Sequence, residues 1–292
     1  TCMINDVKKL KTPLRYPGGK SRATKKLEVY LPDMRNYDNF HEPFLGGGSV
    51  SLYVSKKYPH LKIWVNDLYE DLYNFWIHLQ SSGDILSEEI MKLKMDHPNR
   101  ETAKELFFES KEVLNSSTDK LQRAIRFWVL NKCSFSGLTE SSSFSGSSSE
   151  TNFSIRGINN LKEYQKIIKD WKFTNQSYET LLKGDEKTFV YLDPPYDIKD
   201  VLYGKKGNMH KGFDHDLFSK YCNESSSDQL ISYNSDQWVK ERFPENVWKH
   251  EDFHLTYTMR STGSYMENQK KRMELVMFNY APFSATLDPF LK

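Results

Sequence analysis

Cysteine is scarce and badly placed for cross-linking: Cys2, Cys133 and Cys222 are odd in number and far apart in a chain of 292 residues. No disulfide framework and no thiolate metal site is implied, and a reducing compartment fits. The eight histidines form no HxxxH or HxH pair, so no metal is expected. No apolar run approaches the roughly 18 residues of a membrane span, and no secretory leader is recognisable. The expected setting is therefore the cytoplasm. Excess charge is lacking too. A formal net charge of +2 neither requires nor excludes a nucleic-acid partner. Local basic clusters carry more information: Lys20, Arg22, Lys25 and Lys26; Lys120, Arg123, Arg126 and Lys132; Lys270, Lys271 and Arg272. Taken singly, each reads as a solvated helix face.

What the chain does have is a rich aromatic content, 14%, and an alternation of strand and helix signals at both ends. Asn39 to Phe44 reads as a strand entering Gly46-Gly47-Gly48, followed by a helix from Ser49 to Lys57. Leu61 to Val65 is a second strand ending at Asn66-Asp67, and Leu68 to Gln80 a second helix. Strand, glycine turn, helix, strand, acid is the front of a nucleotide-binding βαβ unit. Residues 81–176 change character. Helical patterns cover Asp84 to Lys94, Arg100 to Leu114, Asp119 to Asn131 and Leu161 to Trp171, with a serine- and glycine-rich stretch from Ser134 to Ser149. Phe135, Leu138, Phe144 and Phe153 in and beside that stretch favour an ordered hairpin over a linker. From residue 177 the α/β pattern resumes with strands at Thr188 to Leu192, Gln229 to Tyr233, Trp248 to Thr258 and Met273 to Tyr280. The expected architecture is a mostly parallel sheet with helices on both faces. Residues 1–80 and 177–292 form one catalytic and cofactor-binding domain, and 81–176 a helical insert.

The most telling motif closes the buried strand Phe189-Val190-Tyr191-Leu192: Asp193-Pro194-Pro195-Tyr196. The carboxylate and the Pro194 carbonyl can both accept from one amino group. The two prolines hold φ near −65° and have no N–H to donate. Tyr196 offers a face for a planar base. The same four residues could simply be a proline turn after a strand, so the rest of the chain decides. Glu42-Pro43-Phe44-Leu45-Gly46-Gly47-Gly48 supplies a second device, glycines that let backbone approach a ligand and free N–H groups at the helix start. Its spacing departs from GxGxxG, which weakens a dinucleotide reading and leaves a ligand with a ribose or a carboxylate. Asp67, about 20 residues on, is placed for ribose hydroxyls or for capping the next helix. Arg15-Tyr16-Pro17-Gly18-Gly19-Lys20 is a turn whose aromatic and lysine can meet an adenine and a carboxylate.

In this order, Tyr16-Pro17-Gly18-Gly19-Lys20, Glu42-Pro43-Phe44 with its glycines, Asn66-Asp67 and Asp193-Pro194-Pro195-Tyr196 resemble the Dam-type, D12 class DNA adenine N6-methyltransferases. The similarity runs over roughly residues 13 to 280, including Arg123 to Leu138 and Lys270 to Met277. The resemblance implies a Rossmann-like methyltransferase fold with an inserted target-recognition domain. It implies S-adenosylmethionine as cofactor, bound by Tyr16, Lys20, Pro43, Phe44, Gly46, Asp67 and Asp193. It implies double-stranded DNA as partner and methyl transfer to N6 of a flipped-out adenine by Asp193, Pro194 and Tyr196. A reading hairpin at 132–156 follows, with Arg126, Lys132, Ser136, Leu138 and Arg156 as candidate DNA contacts. Enzymes of this type that read GATC carry Asn-Gly-Leu followed by Arg-Tyr-Asn, whereas here Ser136-Gly137-Leu138 precedes Thr139-Glu140. The target sequence is therefore open. Alternatives on the same motifs are N4 of cytosine, adenine in RNA, or a catalytically silent DNA-binding protein.

Overall fold

The computed structural model describes residues 10–16, 24–137, 142–195, 212–254 and 273–283. Among these residues seven strands form one sheet in the order β3-β2-β1-β4-β5-β7-β6. They are β1 (Asn39–Glu42), β2 (Lys62–Asn66), β3 (Lys172–Thr174), β4 (Thr188–Leu192), β5 (Asp228–Asn234), β6 (Lys249–His254) and β7 (Met273–Phe278). The pairs β1–β2, β1–β4, β2–β3 and β4–β5 are parallel, and only β7 runs against its neighbours β5 and β6. β4 sits centrally, and all five of its residues are buried. A strand covered on both faces is expected to be nearly continuously apolar, which Phe189-Val190-Tyr191-Leu192 after Thr188 supplies. The chain reverses its order of strands between β1 and β4, so the crevice at their carboxyl ends is the place where this architecture holds ligands.

Alternation along the strands separates two cores. Phe40, Phe189, Tyr191, Leu230, Val276 and Phe278 face one cluster. Val190, Leu192, Ile231, Tyr233, Leu275 and Met277 face the other. The helices are α1 (Thr24–Leu27), α2 (Ser49–Lys57), α3 (Glu70–Asp96), α4 (Arg100–Ser116), α5 (Lys120–Cys133), α6 (Gly146–Thr151), α7 (Ile155–Ile167), α8 (His215–Glu224) and α9 (Gln237–Arg242). α3 packs on α5 and α7, and Trp76, Trp128 and Phe153 belong to the same apolar cluster as Phe40 and Phe189. The helical segment therefore shares a core with the sheet.

Two boundaries differ from the sequence-based expectation. The helices expected at 68–80 and 84–94 are one element, α3, with a break in helical geometry at Ser82 (φ −143°, ψ 33°). Gly83 lies where α7 crosses closely: a Cβ there would sit 2.7 Å from Gln165 Cβ. Lys172–Thr174, placed inside the insert by its neighbours, is edge strand β3 and pairs with β2. Three residues are too few to show a strand period. The serine-rich stretch is ordered where it is described, through a bridge between Ser134 and Phe144 and a helix, α6, capped by Ser145.

Candidate active site

The glycine loop between β1 and α2 is a cradle fixed from three directions. Gly46 and Gly48 have φ of 54° and 73°, a region that costs an L-residue roughly 1–2 kcal/mol. Trp76, fully buried in α3, donates its indole N–H to Gly46 O at 3.1 Å. A Cβ on Gly48 would strike the same indole at 2.7 Å. Asp67, at the end of β2, accepts from Gly46 N through Oδ2 and from Tyr69 N through Oδ1, both at 3.0 Å. It thus joins the loop to the start of α3. Burial raises the Asp67 pKa, against the opposing backbone donors of Gly46, Tyr69 and Leu68. The Tyr16 ring lies over the loop. A Cβ on Gly46 would come within 2.9 Å of it, and one on Gly47 within 3.0 Å of Tyr16 Cβ. Tyr16 is 40% exposed, so part of the residue is open to solvent beside the loop.

Asn66 is the bracket behind this cradle, and sequence reasoning noted it without giving it a role. It is 2% exposed. Its amide donates to Pro43 O (3.1 Å) and Gln176 O (2.7 Å) and accepts from Thr174 Oγ1 (2.7 Å) and Gln176 N (3.1 Å). That fills both halves of the amide and locks Pro43 to the β3 exit. Phe44 turns to the opposite side of the sheet, where its ring meets Tyr178 at 5.3 Å, Phe213 at 5.8 Å and Phe218 at 5.9 Å. These partners carry no motif, and only the tertiary fold assembles them.

Asp193, Pro194 and Pro195 leave the carboxyl end of β4, and Asp193 Oδ1 is shut off from solvent. Two residues earlier, on the same face, stands Tyr191. Burial first, then the charges of Asp193, Glu42 and Glu274, push its phenol pKa well up. Glu42 and Glu274 are each 3% exposed. Ser51 Oγ donates to Glu42 at 2.5 Å and Ser232 Oγ to Glu274 at 3.2 Å. The polar ends of β1, β4, β5 and β7 therefore make an acidic edge to an otherwise apolar face, beside the glycine cradle. Tyr196 and Lys20 lie outside the described residues.

A family model for D12 class N6 adenine-specific DNA methyltransferases matches residues 16–262. The chain belongs to this family. Its sheet order and single reversed strand give it the Rossmann-like methyltransferase fold. The type II methyltransferase M.MjaIII of Methanocaldococcus jannaschii is 30% identical over 196 residues, covering 63% of this chain and 68% of that one. The type II methyltransferase M.CviBI of Paramecium bursaria Chlorella virus NC1A is 22% identical over 277 residues, 93% of this chain and 100% of that one. A DNA adenine methylase of Vibrio cholerae is 26% identical over 197 residues, 65% of this chain and 66% of that one.

The candidate DNA contacts of this methyltransferase separate into two kinds. Arg156 is exposed and Ser136 half-exposed on the insert. Lys132 lies over the Trp128 ring at 5.2 Å. Burial, helped by the charge of Arg15, pulls its pKa down to about 8. Arg126 does not fit the expectation. It is 9% exposed, and its guanidinium points to Glu109 (3.3 Å) and Ser110 (3.4 Å) between α4 and α5. Its charge is spent inside the insert, because position 126 falls on the inner face of α5. Phe135, 67% exposed, is the most exposed aromatic of the turn after α5. Leu138 lies outside the described residues. Among the described residues no helix is long and apolar enough to cross a membrane.

Proposed function

We propose that this family member transfers a methyl group from S-adenosylmethionine to N6 of an adenine flipped out of double-stranded DNA. The observation that carries the reading is the placement of Asp193-Pro194-Pro195 at the end of the central strand, next to the cradle formed by Gly46, Asp67 and Tyr16. The residues fit the donor. Tyr16 presents a ring for its adenine, and Asp67 retains acceptor lone pairs for ribose hydroxyls. Gly46, Pro43 and Phe44 shape the loop, and Lys20 meets the carboxylate. The acidic edge of Glu42, Asp193 and Glu274 suits a cationic ligand. When bound, the donor supplies an electrophilic methyl group on a sulfonium.

The target amine is a poor nucleophile because its lone pair is delocalised into the ring. Asp193 and the Pro194 carbonyl each accept one of its N–H bonds, which favours a pyramidal nitrogen aimed at the methyl group. Tyr196 stacks on the extruded base. Asp193 also stabilises the positive charge that develops on nitrogen. Alignment of two bound reactants accounts for several kcal/mol of the lowered barrier, against a few kcal/mol for extruding the base. No covalent enzyme intermediate is needed. On the DNA side Lys132 and Arg156 meet phosphates or guanine, and Ser136 and Leu138 approach base edges.

The test is methyl transfer from labelled S-adenosylmethionine to unmethylated duplex DNA, followed by digestion to nucleosides. Label in N6-methyldeoxyadenosine is the expected result. Label in N4-methylcytosine, or transfer to RNA alone, refutes the substrate assignment.

A further inference from the structure

Residues 10–16 form a strap that is held on both sides. Toward the cradle, Thr12 Oγ1 donates to Gly47 O at 2.5 Å, and the Tyr16 side chain lies against Gly46 through its ring and against Gly47 through its Cβ. Toward the insert, Trp128 Nε1 donates to Pro13 O at 3.0 Å. Asn131, 1% exposed at the end of α5, holds both backbone groups of Arg15. Its Oδ1 accepts from Arg15 N at 2.8 Å and its Nδ2 donates to Arg15 O at 2.7 Å. The same Nδ2 donates to Gly137 O at 2.7 Å. The Arg15 guanidinium reaches on to the carbonyls of Ser134 (2.6 Å) and Phe135 (3.3 Å). Gly137 has φ of 78°, and a Cβ there would sit 2.6 Å from Arg15 O. One backbone residue thus touches the turn that enters the DNA-reading segment, and the next residue covers the donor cradle.

We propose that this clasp makes donor binding and the order of the reading turn one equilibrium, with Asn131 as the positioning residue that couples them. The inference rests on the methyltransferase reading of the cradle. An asparagine is suited to the task because a single amide accepts from an N–H and donates to carbonyls, as a neighbouring strand would. The bistable element is the strap, either seated between cradle and turn or lifted from both. A ligand stacked on Tyr16 favours the seated state. Only the seated state brings the Arg15 guanidinium to the carbonyls of Ser134 and Phe135. Coupling of this kind is reciprocal and commonly 5–150-fold, and a physical path with two arrangements is what it requires.

Two amides report the turn. Phe135 N–H donates to Ser143 O at 3.0 Å, and Ser145 N–H to Cys133 O at 2.9 Å. Hydrogen exchange at both is to be measured with and without saturating S-adenosylhomocysteine, whose binding is followed separately by calorimetry. The wild type should show about tenfold slower exchange on binding, an effect within the range of such couplings. Asn131→Ala should bind the ligand and lose that difference. Gly137→Ala opens the same clasp from the turn side and decides the matter if Asn131→Ala does not fold. A merely structural role would raise exchange equally with and without ligand. Ligand binding to the wild type without added protection overturns the inference alone, as does protection that survives in both variants. No ligand binding by the wild type overturns the methyltransferase reading beneath it.

Discussion

Adding one methyl group at Gly46 or at Gly48 separates binding from stability. Both glycines have positive φ, so alanine costs roughly 1–2 kcal/mol of backbone strain at either place. The second contribution differs. At Gly46 the new Cβ meets the Tyr16 ring at 2.9 Å, and Tyr16, 40% exposed, is less confined than a buried side chain and can yield toward solvent. The fold then loses little beyond the backbone cost, a few degrees in Tm. The donor loses its stacking face, however, and base–aromatic stacking is worth about 1–3 kcal/mol. Affinity for S-adenosylmethionine should fall by about 5- to 150-fold. At Gly48 the Cβ meets the Trp76 indole at 2.7 Å, and that ring is fully buried among Trp171 and Phe173. It cannot leave. Overpacking adds about 1–3 kcal/mol, so Gly48→Ala should be a stability variant with a clearly larger drop in Tm. Isothermal titration and thermal melts on the two proteins decide it. A Gly46→Ala protein that binds the donor within twofold of wild type would refute Tyr16 as the stacking face. Equal losses of stability in the two variants would refute the distinction between a yielding and a fixed neighbour.

Other expectations concern single side chains. Asp193→Ala should retain less than about a hundredth of the methyl-transfer rate, measured in single turnover; near wild-type transfer would remove Asp193 from the reaction. Lys132, with its pKa drawn down to about 8, should carry its charge at pH 7 and lose most of it by pH 9. If it meets a phosphate, the slope of log binding constant against log salt should shrink by about one between those pH values, and Lys132→Gln should abolish the change. Because its folded pKa lies below the unfolded one, the unfolded chain binds more protons across that interval. Stability contributed by this group should therefore rise with pH from about 8 toward the unfolded lysine value of about 10.4, visible in urea midpoints of wild type against Lys132→Gln. Arg126→Ala should lower Tm by breaking the contacts to Glu109 and Ser110, with DNA affinity unchanged. A selective loss of DNA binding would return Arg126 to the interface.

The candidate residues could be picked out as candidates because each sits in a short local pattern. Asp193-Pro194-Pro195 follows an unbroken apolar run that only a doubly covered strand explains, and Gly46 to Gly48 precede a helix that needs a tight entry. Asn66-Asp67 ends a strand and starts a helix. Those signals are local because strand ends, glycine turns and caps are decided by a few neighbouring residues. Arg126 shows where local reading stops. Its basic cluster looked like a surface, but which side of α5 faces α4 depends on how the helices cross, and that turned the guanidinium inward. The Phe44 pocket is similar, since Tyr178, Phe213 and Phe218 come from distant segments with no shared spacing.

The sequence by itself determined the kind of chemistry, the order of the motifs and the alternation of strands and helices, all of which are written in contiguous residues. Tertiary structure decided what was brought together across long separations. It placed β3 at the sheet edge and β7 in reverse between β5 and β6. It gathered Glu42, Tyr191, Asp193, Ser232 and Glu274 on one polar edge, and it fastened Arg15 to Asn131 across 116 residues. Such contacts depend on register and helix crossing, which are fixed only when the apolar faces of all elements are buried together.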